Sequence, residues 1–241
     1  MEPVWVLARI LVYPLRLLFR IRFSGRKRIP HKGPVLIAAN HVSFLDPLLL
    51  LWLGERRLRK ARFLAKAELW NIPVFRFFLV RTKQIPVPRA SAAAAGSLTA
   101  AAESLRAEQM VCIYPEGTIS RTLEPMPGKT GIARLAATSG VPVTPVGLWG
   151  FHRVWTIGRK PSFRPWVCGC IVVGEPVSVG PDDDLFDATD RIMQGVVDCV
   201  QTSRRIYPQR PWFGRSAWWV RAPETAVLRP TPRESSGGRL G

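Results

Sequence analysis

The stretch Asn40-His41-Val42-Ser43-Phe44-Leu45-Asp46-Pro47 holds the residues best suited to proton chemistry. It contains one of only three histidines in the chain, with a carboxylate five positions on. A histidine beside a carboxylate is a base with an orienter: the acid holds one ring nitrogen and fixes the tautomer, and the other nitrogen takes a proton. A spacing of five places the two side chains on neither one helix face nor one strand face. They meet only if a turn separates them. Asp46-Pro47 gives a reason for one, since Asp is a favoured N-cap and Pro a favoured first helical residue. The same residues also fit a bland arrangement in which Asp46 merely caps a helix and His41 is a turn residue. A metal site at His41 and Asp46 would need further ligands, and neither His31 nor His152 has evident company.

The elements around the pair follow from pattern. Val35 to Ala39 is a short apolar run bounded by Pro and Asn, which predicts a buried strand with His41 in the turn after it. A helix runs from Asp46 to Gly54. A second strand is expected over Arg59 to Ala65, partial helix over Ala67 to Val80, and a short extended piece from Gln84 to Val87. Ala90 to Glu108 is alanine-rich and predicts a helix. Met110 to Tyr114 predicts a third strand, ending in the turn Pro115-Glu116-Gly117-Thr118. Lys129 to Thr138 reads as a helix closed by Gly140. Val143 to Leu148 and Val167 to Val173 read as strands. Asp182-Asp183-Asp184 caps a helix from Leu185 to Arg205. Strands alternating with helices predict an α/β fold, a single mixed sheet flanked by helices.

The ends of the chain differ from this middle. Val4 to Arg20 is strongly apolar, yet Arg9, Arg16 and Arg20 fall within a stripe of ~40° at helical spacing. That pattern suits an amphipathic helix lying in a membrane interface, bent at Pro14. The bland alternative is a terminal helix packed on the protein's own core. The basic run Arg26-Lys27-Arg28 with Lys32 favours an anionic membrane surface. The expected organisation is an interface helix and basic linker over 1–33, a folded domain over 34–206, and a basic, poorly ordered tail over 207–241 whose Trp212, Trp218 and Trp219 are placed to touch a bilayer.

Across 241 residues the charge is strongly unbalanced, with 35 Lys+Arg against 17 Asp+Glu and a formal net charge of +18. Such an excess attracts polyanions: nucleic acid, an anionic bilayer or phosphate-bearing substrates. No helix-turn-helix, zinc-finger or RNA-binding sheet signature is present, so no nucleic-acid partner is expected. Cys112, Cys168, Cys170 and Cys199 form no Cys-x-x-Cys, which predicts reduced thiols and a cytoplasmic setting.

Four blocks recur in order: Asn40-His41-x4-Asp46, Ile85-Pro86-Val87-Pro88-Arg89, Tyr114-Pro115-Glu116-Gly117-Thr118 and Val141-Pro142-Val143-Thr144-Pro145-Val146. Together they resemble the glycerolipid acyltransferase family, specifically the bacterial 1-acylglycerol-3-phosphate acyltransferases. The resemblance implies that His41 is the general base and Asp46 its partner. It implies that Arg89 binds the acceptor's phosphate, that Glu116, Gly117 and Thr118 hold the glycerol phosphate, and that Pro145 anchors the fourth block. Lys129 would add a cation at a helix N-terminus. As bland alternatives, Arg89 is a solvated helix-start charge and Glu116-Gly117-Thr118 a simple turn. The resemblance further implies no metal and no bound cofactor, a lysophospholipid acceptor, acyl-CoA or acyl-carrier protein as co-substrate, and peripheral or monotopic attachment to the cytoplasmic face of the cell membrane. Two departures stand out. Lys83 occupies a position where the family's second block usually has glycine, and Ile119 follows Thr118 where the third block usually has arginine, with Arg121 displaced.

Overall fold

The computed structural model describes residues 15–88, 91–162, 165–209 and 218–219. One seven-stranded sheet organises them, in the order β1-β7-β6-β2-β5-β3-β4. The strands are β1 (Phe19–Ser24), β2 (Val35–Ala39), β3 (Ala61–Lys66), β4 (Ile85–Val87), β5 (Met110–Ile113), β6 (Val143–Trp149) and β7 (Val167–Val173). The helices are α1 (Leu15–Leu18), α2 (Asp46–Glu55), α3 (Pro73–Arg81), α4 (Ser91–Arg106), α5 (Gly131–Ser139) and α6 (Leu185–Ile206). The β6-β2-β5-β3-β4 block is parallel throughout, and β7 meets β6 antiparallel, so the sheet is mixed as expected.

β2, β6 and β7 are buried along their whole lengths. A strand covered on both faces carries a continuous apolar run, which is why VLIAA and VCGCIVV are legible as strands to the residue. Alternate residues of β2 enter opposite cores. Leu36 and Ala38 pack with Ile132, Leu135 and Val196 of α5 and α6. Val35, Ile37 and Ala39 pack with Leu49, Leu50 and Leu53 of α2. The two cores are thus the two faces of the sheet.

The connections set up the site. From β2 the chain passes through α2 to β3, and from the adjacent β5 through α5 to β6. These helices cover opposite faces, so the chain leaves two neighbouring carboxyl ends in opposite directions. Ligands of open α/β sheets bind in the crevice that such a switch opens.

Two expectations change, and one falls largely outside the described residues. The sheet starts at Phe19, inside the stretch read as helix and basic linker: Arg20 and Arg22 alternate with Phe19, Ile21 and Phe23 on the edge strand β1, paired in parallel with β7. Helical structure at this end covers Leu15–Leu18, and the rest of the expected interface helix lies outside the described residues. Third, Trp218 and Trp219 of the tail pack on the protein, with the Arg153 guanidinium 3.9 Å from the Trp219 ring and that of Arg159 3.6 Å from Trp218. The His152 Nδ1 accepts the Gly150 N–H, leaving Nε2 to donate to the Trp219 carbonyl at 3.2 Å. Burial holds that imidazole neutral, its pKa pushed down to about 3. Among the described residues no helix is long and apolar enough to cross a membrane.

α6 lies directly on β6, and Gly147 permits it. A Cβ there would fall 2.3 Å from the Cys199 carbonyl carbon and 2.4 Å from the Val200 nitrogen. Gly147→Ala is expected to lower the thermal midpoint by about 6–12 °C, the cost of overpacking a buried contact, as read by calorimetry. An unchanged midpoint would show that helix and strand are not held this closely.

Candidate active site

Asp46 occupies the first turn of α2, and its side chain does not cap that helix. It turns back into the preceding loop. Its Oδ2 accepts the Val42 N–H at 2.7 Å, the Ser43 N–H at 2.8 Å and the His41 Nδ1–H at 3.0 Å. The expected N-cap role is therefore corrected: the loop needed the acceptor more than the helix did, because two buried amides in a tight turn have no strand or helix partner. The carboxylate is fully buried, and the His41 side chain is 17% exposed. With Nδ1 donating, Nε2 keeps its lone pair, and it makes no hydrogen bond among the described residues. The pair is a base with a fixed tautomer.

β5 supplies the second half. Glu116 follows its carboxyl end and is 6% exposed. Its Oε1 accepts the His41 N–H at 3.1 Å, and the Ser120 N–H donates to the His41 carbonyl at 2.8 Å. Both sides of the His41 peptide are thereby tied to the third block. Tyr114 stacks on the imidazole, with ring centroids 4.1 Å apart and planes 16° apart. Gly117 adopts φ 69°, in the left-handed region where glycine is free of strain, and closes a turn through its N–H to the Tyr114 carbonyl. Thr118 is exposed at the rim.

Lys129 lies two residues ahead of α5 rather than opening it, since the helix begins at Gly131. Its own N–H donates to the Pro115 carbonyl, and its Nζ would stand 3.1 Å from a Cβ on Gly117. The cation thus sits over the third-block turn. Arg89 lies outside the described residues. Pro145 is buried in β6, its ring beside Gly174 and Gly195 of neighbouring elements, in a packing position. Ile119, at the position after Thr118, is buried, and Arg121 is exposed. Lys83 takes φ 52°, the conformation its usual glycine adopts freely.

Sequence reasoning missed several contributors. Asn40 bridges to β6, donating to the Leu148 carbonyl at 3.0 Å and accepting its N–H at 2.7 Å. Thr156 donates to the Val42 carbonyl, and Ser43 to the Trp155 carbonyl, so a loop after β6 supports the histidine turn from the other side. Arg204 of α6 grips Glu124 through both terminal nitrogens at 2.8 and 3.0 Å and pins the segment that follows the third block. These contacts join residues far apart in the chain, and only Asn40 and Tyr114 carried a local signal, as members of their blocks. Among the described residues no group of three or more His, Cys, Asp or Glu gathers to hold a metal ion.

The family model described as Acyltransferase matches residues 20–149, more than half of the chain, from β1 to the end of β6. The chain belongs to the Acyltransferase family. The chain is 29% identical over 155 residues to the chloroplastic 1-acyl-sn-glycerol-3-phosphate acyltransferase BAT2 of Brassica napus, covering 64% of this chain and 43% of that protein. It is 32% identical over 158 residues to the lyso-ornithine lipid O-acyltransferase of Brucella abortus, covering 62% and 56%. Its fold is similar to the 1-acyl-sn-glycerophosphate acyltransferase PlsC of Thermotoga maritima, with a TM-score of 0.64 at 25% identity over 81% of this chain and 76% of that one. The chain spans about half the length of the curated relatives it matches.

Burial pushes the Glu116 carboxyl up to about 8, against the backbone amides of His41 and Met126, which favour the ionised form. Between the ordinary carboxylate range and about 8, the folded protein keeps a proton that the unfolded chain has released. Stability therefore falls as pH rises through that window and levels off above it. Glu116→Gln removes this dependence. Thermal melts of the two proteins from pH 5 to pH 8 are expected to diverge, the wild type losing more midpoint than the variant; parallel curves would show that Glu116 is ionised in the fold.

Proposed function

We propose that this chain transfers an acyl group from acyl-CoA or acyl-carrier protein to the free hydroxyl of a lysophosphatidate-like acceptor, at the cytoplasmic face of the cell membrane. The observation that supports it most is the His41–Asp46 contact at 3.0 Å, with Nε2 unpartnered at the carboxyl edge of the sheet. Nε2 takes the acceptor's hydroxyl proton as its oxygen attacks the thioester carbonyl carbon. A C–O bond forms and the C–S bond breaks. The departing thiolate then takes the proton back from the imidazolium, and the base is regenerated. Asp46 keeps the imidazole oriented through both steps and stabilises its cationic form. Lys129, over the turn formed by Glu116, Gly117 and Thr118, is one cation proposed for the acceptor's phosphate, and Arg89 is the other.

The buried Ile119 favours a second reading of the acceptor. A site lacking that third-block cation suits a lysolipid with less phosphate character, as in the lyso-ornithine lipid relative. Incubation of the purified protein with labelled acyl-CoA and a panel of lysolipids separates the two: labelled phosphatidate supports the first, a labelled phosphate-free product the second, and no labelled lipid from any acceptor and either thioester contradicts both. His41→Ala is expected to lower turnover by roughly 10²–10⁴-fold while the fold persists, with a cooperative melt at a somewhat lower midpoint because Asp46 loses one donor. Full activity in that variant would remove the histidine from the mechanism.

A further inference from the structure

The large apolar side chains left exposed among the described residues are Leu17, Leu18, Phe44, Leu58, Ile72, Val74, Phe75, Phe77, Val80, Trp155 and Trp166. Their distribution is one-sided. Leu17, Leu18 and Trp166 lead into β1 and β7, which run so that these starts lie beyond the carboxyl end of β6. Phe44 follows His41 in the turn after β2, and its ring lies 4.7 Å from that of Trp155. Val74 to Val80 belong to α3, with Ile72 at its N-cap, and the helix follows the short 3-10 helix Ala67–Asn71 that leaves the carboxyl end of β3. Leu58 stands at the opposite end of the sheet, between α2 and β3, and Val80 lies where α3 returns toward that end, since Thr82 and Gln84 bond with Ala61, Arg62 and Phe63.

α3 is the unusual member. Its sequence is PVFRFFLVR, without an acid and with no buried residue. Val74 is 67% exposed and Phe75 52%. A helix in a globular protein normally buries its apolar stripe against the core. This one packs chiefly on the 3-10 helix that precedes it. Its cations are of the kind that reach past an apolar face to anionic headgroups: Arg76, and Arg81 with its guanidinium 4.9 Å from the Phe77 ring. Lys66 and Lys83 are exposed on either side of it.

We propose that α3, together with the Phe44–Trp155 pair and the Leu17, Leu18 and Trp166 corner, forms a bilayer-docking rim around the histidine turn, with α3 inserted among the headgroups and acyl chains of an anionic membrane. The occupant is a lipid surface, and this deepens the proposed function, resting on its lipid acceptor. Apolar residues interleaved with arginines, with no acid on the helix, match an anionic interface. A protein partner seated across this rim would cover His41, whereas a bilayer brings the acceptor to it.

The test uses the full-length protein with Val74→Cys and Phe77→Cys, each carrying a nitroxide, and Arg106→Cys as a control on the exposed end of α4. The four native cysteines are buried, so the introduced thiol labels selectively. With vesicles of phosphatidylcholine and phosphatidylglycerol, both α3 labels are expected to become shielded from a water-soluble relaxant and accessible to oxygen, while the control stays aqueous. The double variant Val74→Glu/Phe77→Glu is expected to bind these vesicles at least about tenfold more weakly. Labels that stay aqueous on pelleted vesicles would overturn the proposal. So would labels shielded without lipid, whether in step with protein concentration, as for a second copy, or independently of it, as for the chain's own residues 1–14. Acyl transfer to detergent-dispersed lysophosphatidate, measured on the same samples, keeps the two claims apart: immersed labels without activity support the rim and count against the enzymatic reading, and activity with aqueous labels does the reverse.

Discussion

One carboxylate oxygen holds the site together. Asp46 Oδ2 collects three donors, the amides of Val42 and Ser43 and the His41 ring N–H. Burying a carboxylate is costly unless donors meet it, and here all three meet Oδ2 while Oδ1 has no partner among the described residues. The turn provides those donors by folding around the acid, and the acid in turn defines the turn. The histidine joins that arrangement as the third donor, so the interaction that closes the loop also leaves Nε2 free. Folding and proton chemistry therefore share a single set of hydrogen bonds, and no separate device is needed to select the tautomer.

The sheet decides what this turn can reach. Because β2 and β5 are neighbours and their chains depart to opposite faces, the histidine turn and the third block meet across a short gap. Glu116 and Ser120 then fasten the His41 peptide from both sides. Tyr114 presses on the imidazole from the strand below. The base stands on rigid strand ends, held by backbone contacts that cost little entropy to keep. Lys129 over Gly117 places a cation beside the same turn.

Much of this was legible in the chain. Strands buried on both faces read as unbroken apolar runs, which is why β2 and β7 are found to the residue, and the joint order of four short blocks carried the family. What was not legible has specific causes. Asp46 before Pro47 has the local appearance of an N-cap, and only the geometry of the turn shows the carboxylate facing the other way. Arg20 of β1 suits a helical stripe with Arg9 and Arg16 as well as it suits strand alternation, and six residues are too few to choose. Trp218 and Trp219 pack on partners some sixty residues away, a relation that no local period reveals. Lys83 departs from the usual glycine while keeping the backbone that glycine prefers, one of five non-glycine residues with positive φ among the described residues.

The site therefore stands at an edge where polar chemistry and exposed apolar surface adjoin, a setting suited to an acceptor with a polar head and an acyl body. Its central claim concerns one proton. Nitrogen NMR of the protein with labelled histidine, with the His41 signals assigned by loss in His41→Ala, reads the tautomer directly. At a pH where the ring is neutral, the account predicts a pyrrole-like Nδ1 coupled to its proton and a pyridine-like Nε2. The opposite assignment, with Nε2 carrying the proton, would contradict it.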